Sequence, residues 1–267
     1  MTAAEDRPRH LLLPDPERSR AVLVGSGAGL DRPAEVTEPT RRLAVEALTG
    51  AGSGTGAFHP ENVTLLLDPE RPEDVLAAVR EAADAASDVL LFQFAGRSFL
   101  RGDRLFLGVR GTDPERPEDT GVGAAEIAGI MGAGRAARVV VALECSWPDA
   151  AASAWTEAAP RASVLAGPSS FEYTEDPFTG TLVHALLKGV QQGPQVLDLV
   201  ALGNAMEAAY AETRYCVENE YIGAPSGVLL RGGADVALGV NPAFGAAKDV
   251  GALPPHPDVV DEWWRVD

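Results

Sequence analysis

Two strand-like segments of this sequence end in polar side chains that could take part in nucleophilic catalysis. An apolar run at 139–143 is followed by Glu144, Cys145, Ser146 and Trp147. A second apolar run, at 89–94, leads into a segment that contains Gly96, Arg97 and Ser98. A cysteine that leaves the carboxyl end of a buried parallel strand is placed where a nucleophile would meet its substrate. Cys145 is therefore the candidate nucleophile.

A cysteine or serine nucleophile also needs a general base, usually a histidine within hydrogen-bond distance. The sequence has four histidines, none of which ends a buried strand: His10, His59, His184 and His256. His184 lies within an apolar helical segment, which favours a packed core residue. No histidine stands three or four residues from another histidine or from a cysteine, so no zinc site is predicted. From the residues alone, Cys145 is a candidate nucleophile without a base.

A glycine-rich turn at 25–30 only partly matches the dinucleotide-binding pattern. That pattern requires a third small residue, where this sequence has Leu30, and the segment 31–33 interrupts the helix that would receive a pyrophosphate. No Gly-Lys-Ser or Gly-Lys-Thr occurs, which excludes a P-loop. The turn is interpreted as a strand-exit loop, and no cofactor or metal is predicted.

The elements that would position these side chains alternate between strands and helices. Strands are predicted at 21–24, 63–67, 89–94, 139–143, 163–166 and 227–231, with a hairpin at 99–107. Helices are predicted at 39–48, 75–86, 124–131, 178–188 and 197–211. This alternation is typical of a mostly parallel sheet covered on both faces. We expect one α/β domain with its site at the carboxyl ends of the strands.

Composition excludes several classes of protein. The chain has 267 residues and a formal charge of −17, and such an acidic chain repels phosphate backbones, so no nucleic-acid partner is expected. Two cysteines exclude a disulfide scaffold and indicate a reducing compartment. The apolar runs are too short to span a membrane, and the polar start is unlike a signal peptide. We expect a cytoplasmic protein without a membrane partner.

The two strand ends, in this order and separation, resemble those of bacterial caspase-like cysteine peptidases (clan CD, C14-type). In that family the first strand end reads roughly Tyr/Phe-Ala-Gly-His-Gly and the second roughly Leu-Asp-x-Cys-x-Ser-Gly. The likeness covers about residues 20–245 and implies the caspase-hemoglobinase fold, a three-layer αβα sandwich with a mostly parallel central sheet. We therefore expect one caspase-like α/β domain at 21–245. Residues 1–20, which carry three prolines and mixed charge, are interpreted as an N-terminal arm, and residues 246–267 form an acidic tail with prolines and tryptophans beyond the match.

The catalytic residues of that family are not preserved. By the resemblance, Arg97 stands at the histidine position and Ser146 at the nucleophile position. Ser98 replaces the glycine after the histidine, and Glu144 matches the aspartate. An arginine, whose pKa is above about 12, cannot accept a proton at neutral pH. In the family, a backbone N–H at the cysteine helps form the oxyanion hole. The resemblance thus predicts a pseudo-caspase whose cleft is lined by Gly96, Ser98, Glu144, Cys145 and Trp147 around the degenerate dyad Arg97 and Ser146.

Three functions stay open. The first is an inactive scaffold, regulatory or binding module for a protein or peptide, acting as a monomer or homodimer. The second is a divergent peptidase using Cys145 or Ser146, although successive strand side chains point to opposite faces and a shift by one residue would turn the thiol away. The third is an accessory component of a biosynthetic, conflict or signalling system. Arg97 could pair with Glu144, or could bind an acidic or carboxylate-bearing partner. The tail at 246–267 could dock on a partner or fold back over the domain.

Overall fold

Strands and helices alternate along the computed structural model, which describes residues 13–50, 56–167, 178–217, 228–233 and 235–245. The strands are β1 (Arg20–Ser26), β2 (Val63–Leu67), β3 (Val89–Gly96), β4 (Ser98–Arg101), β5 (Arg104–Leu107), β6 (Val122–Gly123), β7 (Arg138–Glu144), β8 (Ser163–Gly167), β9 (Val196–Asp198), β10 (Leu229–Arg231) and β11 (Ala237–Val240). The helices are α1 (Ala34–Arg42), α2 (Pro72–Ala85), α3 (Pro117–Thr120), α4 (Ala124–Ala133), α5 (Pro148–Ala158), α6 (Phe178–Lys188) and α7 (Leu199–Val217).

Six of the described strands form the central sheet, in the order β10-β8-β7-β3-β1-β2. All neighbouring pairs are parallel except β10 with β8, which is antiparallel. Ala95 of β3 pairs with Glu144 of β7, so these two strands end side by side. We call the place where β3 and β7 end, at Gly96 and Glu144, the carboxyl edge of the sheet. The predicted hairpin is also present, since β4 pairs antiparallel with β5, which in turn pairs with β6.

Helices cover both faces of the central sheet over two apolar cores. One core contains side chains of α2, α4 and α5, and the other contains side chains of α6 and α7. Strand β3 contributes to both, because Leu90, Phe92 and Phe94 enter the first core while Val89 and Leu91 enter the second. A central strand buried on both faces explains why this run is apolar throughout. The fold is therefore the three-layer α/β sandwich with a mostly parallel sheet that was predicted.

Several elements differ from the sequence-based prediction. The helix predicted from residue 39 begins at Ala34, so that Pro39 lies inside α1, and it continues as a π-helical turn over 43–47. This earlier start brings Val36 into the helix, where it is buried together with Thr40. Helix α7 begins two residues later than predicted, because 196–198 form the short strand β9.

Helix α5 has no counterpart among the predicted elements. It follows the end of β7 almost immediately, with Pro148 in its first turn, where a missing backbone N–H costs nothing. Ala151, Ala152 and Trp155 recur at helical spacing and are buried under the sheet. The Trp155 ring stacks on Phe92, with the ring centroids 6.1 Å apart.

The prediction that His184 is a core residue is wrong. Helix α6 buries residues on either side of it, including Val183 and Ala185, while His184 faces solvent. The tail at 246–267, with its tryptophan pair, lies outside the described residues, as do His10 and His256. None of the helices in the described ranges has the length and apolar character needed to cross a bilayer.

Candidate functional site

The site is built where β3 and β7 reach the carboxyl edge beside the end of β1. Gly96 ends β3 with φ +155°, and a Cβ added there would lie 2.7 Å from the carbonyl oxygen of Ser26. The backbones of β1 and β3 therefore approach too closely at this point for any side chain at position 96. This close approach sets the path of the chain through Arg97 and Ser98.

Ser98 joins the two strand ends. Its hydroxyl oxygen accepts a hydrogen bond from the backbone N–H of Ser146 at 3.1 Å. The Ser98 side chain is almost fully buried, whereas Ser146 is exposed. The N–H at the position that the resemblance assigns to the nucleophile is thus already hydrogen-bonded within the protein.

The thiol of Cys145 lies in the core rather than in a cleft. Cys145 is 0% exposed and belongs to the same apolar core as Val141 and Leu143, as the alternation of strand side chains requires. Burial raises the pKa of the Cys145 thiol to about 11, despite hydrogen bonds from the Trp147 backbone and the Ser98 side chain that favour the thiolate. A thiol with this pKa is overwhelmingly protonated at neutral pH, and a protonated thiol is a poor nucleophile.

Glu144 points to the opposite face of the sheet. It is fully buried, and one carboxylate oxygen accepts the backbone N–H of Thr179 at 2.8 Å. Thr179 lies in the first turn of α6, where the helix dipole favours negative charge. The side-chain amide of Gln93 donates to the Thr179 hydroxyl at 3.3 Å. Glu144 therefore anchors the start of α6.

Arg97 does not form an ion pair with Glu144, which was one of the two roles considered for it from the sequence. Its side chain is exposed, and Nη1 donates to the carbonyl oxygen of Gly29 at 2.9 Å. Beside it lies a small cavity of about 50 Å³. The residues that line this cavity are Ala28, Gly29, Arg97, Phe99, Gly108, Val109, Arg110, Thr112 and Pro114.

The exposed surface of the candidate site consists of Arg97, Ser146 and Trp147. Trp147 is 48% exposed, an unusual position for so large an apolar side chain. The other predicted lining residues, Gly96, Ser98, Glu144 and Cys145, are buried beneath this surface.

No histidine serves as a hydrogen-bond partner of either candidate nucleophile in the part of the chain that the structure describes. The two histidines within the described ranges, His59 and His184, are exposed, and neither hydrogen-bonds to Ser146 or Cys145. Within the same ranges, no group of three or more His, Cys, Asp or Glu side chains is arranged to hold a metal ion.

A larger cavity, of about 250 Å³, lies at the opposite edge of the sheet. It sits near the start of β7 and the carboxyl ends of α4 and α5, and most of its walls are alanine and glycine. Arg161 is the one charged residue that lines it. This cavity is far from the strand ends and brings no nucleophile or acid–base group together.

Comparison with known proteins gives a match at the level of the fold. No protein-family model matches the sequence, and no curated protein matches it. Among solved structures, one of pro-sf-caspase-1 aligns with a TM-score of 0.50 and 10% identity, covering 85% of this chain and 95% of that one. The chain has a caspase-like fold. A crystal structure of caspase-1 from Spodoptera frugiperda aligns with a TM-score of 0.44 and 10% identity over 90% of each chain.

Within this caspase-like fold, two features of the site had no signal in the sequence. One is the carbonyl of Gly29, which holds the Arg97 guanidinium although it is 68 residues away. The other is the wall formed by residues 108–114, which follows the hairpin and closes the small cavity. Each depends on how loops fold against one another, which no local motif encodes.

Proposed function

We propose that this caspase-like protein is catalytically inactive and binds a protein or peptide partner at the carboxyl edge. The observation that carries the proposal is the hydrogen bond from the Ser146 N–H to the Ser98 hydroxyl, at 3.1 Å. Acyl transfer requires backbone N–H donors that are free to stabilise the oxyanion formed in the transition state. A donor already bonded to a buried side chain cannot serve in that way without rearrangement.

Three further properties of the site support binding without cleavage. The Cys145 thiol is buried and has a pKa of about 11, so a substrate cannot reach it and it is protonated at neutral pH. The Ser146 hydroxyl is exposed, but no described histidine reaches it. Arg97 is permanently charged and cannot act as a base. These properties also argue against a divergent peptidase that uses Cys145 or Ser146.

Trp147 supports a role in recognition. Large aromatic side chains are enriched among the residues that anchor protein interfaces. Trp147 is 48% exposed, and it adjoins Ser146 at the carboxyl edge. A partner that covers this side chain would remove apolar surface from water, which favours association.

The proposal is tested by selecting binders from a display library of random linear peptides on the full-length protein. We expect selected peptides to remain intact after prolonged incubation, as judged by mass spectrometry. We also expect their affinity to fall about tenfold or more in Trp147→Ala, as for a typical interface anchor. Phe244→Ala is the matched control, because Phe244 is similarly exposed at 52% but lies outside the site.

Two outcomes would contradict the proposal. Cleavage of a selected peptide that disappears in Ser146→Ala or Cys145→Ala would establish a peptidase. Failure to enrich any peptide, or equal affinities for wild type and Trp147→Ala, would remove the argument for binding at this surface.

A further inference from the structure

Arg97 holds its guanidinium in a fixed place while leaving one edge open. The Nη1 atom donates to the carbonyl oxygen of Gly29 at 2.9 Å. Across the described ranges, Nε and Nη2 of Arg97 make no hydrogen bond and no ion pair. These two N–H groups form one of the forks with which arginine binds both oxygens of a carboxylate. The hydrogen bond to Gly29 thus orients the Arg97 side chain, while its Nε and Nη2 groups remain available to a ligand.

The charge of Arg97 has no carboxylate partner among the described residues. Four arginines on the surrounding loops and helix starts do pair with a carboxylate: Arg71 with Asp74, Arg101 with Glu118, Arg110 with Glu70 and Arg116 with Asp113. Arg104 on the neighbouring hairpin lies over the ring of Phe106 instead. Arg97 therefore combines an unpaired charge with a free Nε and Nη2 edge, which is the combination that an external anion requires.

The adjoining cavity has the size and lining for one small anionic group. Its volume of about 50 Å³ exceeds the roughly 30 Å³ that one water molecule occupies in the liquid, so it admits a group of a few atoms. No aspartate or glutamate lines it, and the second arginine there, Arg110, already pairs with Glu70 at 2.7 Å. The net charge at the cavity therefore comes from Arg97.

Two glycines keep the arginine in this position. A Cβ on Gly29 would lie 2.9 Å from Nη1 of Arg97, and a Cβ on Gly108 would lie 3.0 Å from the Arg97 carbonyl oxygen. Side chains at either position would displace Arg97 or fill the space beside it. The backbones at Gly29 and Gly108 can thus approach Arg97 this closely only because neither residue has a side chain.

We infer that the cavity beside Arg97 binds one carboxylate group of the peptide partner, a specificity that rests on the proposed binding function. The carboxylate comes either from the C-terminus of the partner or from an aspartate or glutamate side chain. Either source presents the same two oxygens to the Nε and Nη2 edge of Arg97. The rest of the partner then extends along the carboxyl edge toward Ser146 and Trp147.

A first experiment measures the subsite without any peptide. The probe is sodium acetate, titrated against sodium chloride at constant ionic strength while the arginine Nε–H signals of the intact protein are followed by NMR. We expect a saturable shift of the Arg97 signal that is absent from Arg97→Gln and unchanged in Arg80→Gln. Arg80→Gln is the matched control, since it removes the same charge from an exposed pair with Glu126 on α2 and α4. No saturable shift, or a tighter response to inorganic phosphate than to acetate, would overturn the carboxylate assignment.

A second experiment identifies the source of the carboxylate with three peptide libraries. One has free C-termini and no internal acids, one has amidated C-termini with internal Asp and Glu, and one is amidated and lacks acids. We expect at least tenfold higher enrichment from one of the first two than from the third. Arg97→Gln should reduce enrichment to the level of the third library, and Arg97→Lys, which keeps the charge but not the fork, should restore only part of it.

The outcomes separate this inference from the proposed function. Equal enrichment from all three libraries, unaffected by Arg97→Gln, would overturn the carboxylate subsite while leaving peptide binding intact. No enrichment from any library, together with a normal acetate response, would contradict peptide binding while retaining a carboxylate site at Arg97.

Discussion

The backbone N–H of Ser146 and the hydroxyl of Ser98 form a 3.1 Å hydrogen bond that ties the end of β7 to the start of β4. The resemblance to caspase-like peptidases places a glycine at position 98, and a glycine has no side chain to accept this bond. By the same resemblance, the serine occupies a donor that the active enzymes need for the oxyanion. The proposal of an inactive protein rests on this bond and on the resemblance that places Arg97 at the histidine position.

Removing the Ser98 hydroxyl should free the Ser146 N–H and lower stability slightly. A hydrogen bond of this kind contributes about 1 kcal/mol, and its loss leaves a partly buried donor without a partner. We expect Ser98→Ala to reduce the free energy of unfolding in urea by about that amount. Hydrogen exchange at the Ser146 amide should become about fivefold faster, since 1.4 kcal/mol corresponds to a factor of ten and about 1 kcal/mol to a factor of about five.

Ser153→Ala is the control for this prediction. The Ser153 hydroxyl lies on the exposed face of α5 and donates only to the carbonyl of Asp149 within its own helix. Its removal should change stability by less than about 0.5 kcal/mol. If Ser98→Ala leaves exchange at Ser146 as slow as in wild type, the two strand ends are not held by this bond.

The buried thiol of Cys145 should make the protein less stable at alkaline pH. Its pKa is about 11 in the folded protein, above the ordinary value of 9.0 that applies to the unfolded chain. Stability from this group is therefore complete below pH 9 and is lost as the pH rises toward 11, because only the unfolded chain releases the proton. The loss should reach about 2 kcal/mol near pH 10.5.

The measurement is the free energy of unfolding in urea from neutral pH to about 10.5, for wild type and Cys145→Ala. The alanine variant starts lower because it leaves a cavity, but its curve should fall less steeply. Tyrosine and lysine residues titrate in both proteins, so the difference between the curves isolates the thiol. Parallel curves would mean that Cys145 ionises as freely in the folded protein as in the unfolded chain.

Much of the fold was predictable from apolar runs and their lengths. The run at 63–67 coincides with β2, and the run at 89–94 lies within β3, because strands buried in a parallel sheet must be apolar on both faces. The adjacency of Ala95 and Glu144 is also expected once β3 and β7 are taken as parallel neighbours that end at the same edge. The two strand ends that carry the candidate residues could thus be placed side by side from the sequence.

The contacts of the individual side chains were not accessible in the same way. Glu144 and Arg97 leave neighbouring strand ends, yet one reaches Thr179 on α6 and the other reaches Gly29 after β1. Both partners are separated from their residues by 35 positions or more. Which loop comes within reach depends on the packing of helices on the two faces, and short motifs carry no information about that packing.

A partly buried ion pair at the amino ends of β3 and β7 should contribute more to stability than any surface pair. Arg138 donates through Nη2 to both carboxylate oxygens of Asp88, at 2.7 and 2.8 Å, and the two side chains are only 15% and 16% exposed. Arg138 also donates to the carbonyl of Leu13. Arg138→Met would leave the Asp88 charge without this partner, and we expect a loss of about 3 kcal/mol in urea unfolding.

Arg80→Met tests whether this effect comes from burial rather than from the charge. The Arg80–Glu126 pair has the same chemistry but is 54% and 53% exposed, so its loss should cost less than about 1 kcal/mol. Similar losses in the two variants would show that the Arg138 pair behaves as an ordinary surface pair.

Two glycine substitutions should change stability in opposite directions. Gly96→Ala places a Cβ 2.7 Å from the Ser26 carbonyl oxygen at φ +155°, so the ends of β1 and β3 must separate, at a cost of about 2 kcal/mol or more. Gly129 lies within α4, and a Cβ there would meet no atom within 4 Å. Gly129→Ala should therefore stabilise the protein by about 0.5–1 kcal/mol, the difference in helix propensity between the two residues. Thermal and urea unfolding of both variants measure these shifts.

A Gly96→Ala variant as stable as wild type would contradict the first prediction. It would mean that the ends of β1 and β3 have room for a side chain, so their close approach would not be what sets the path of the chain through Arg97 and Ser98.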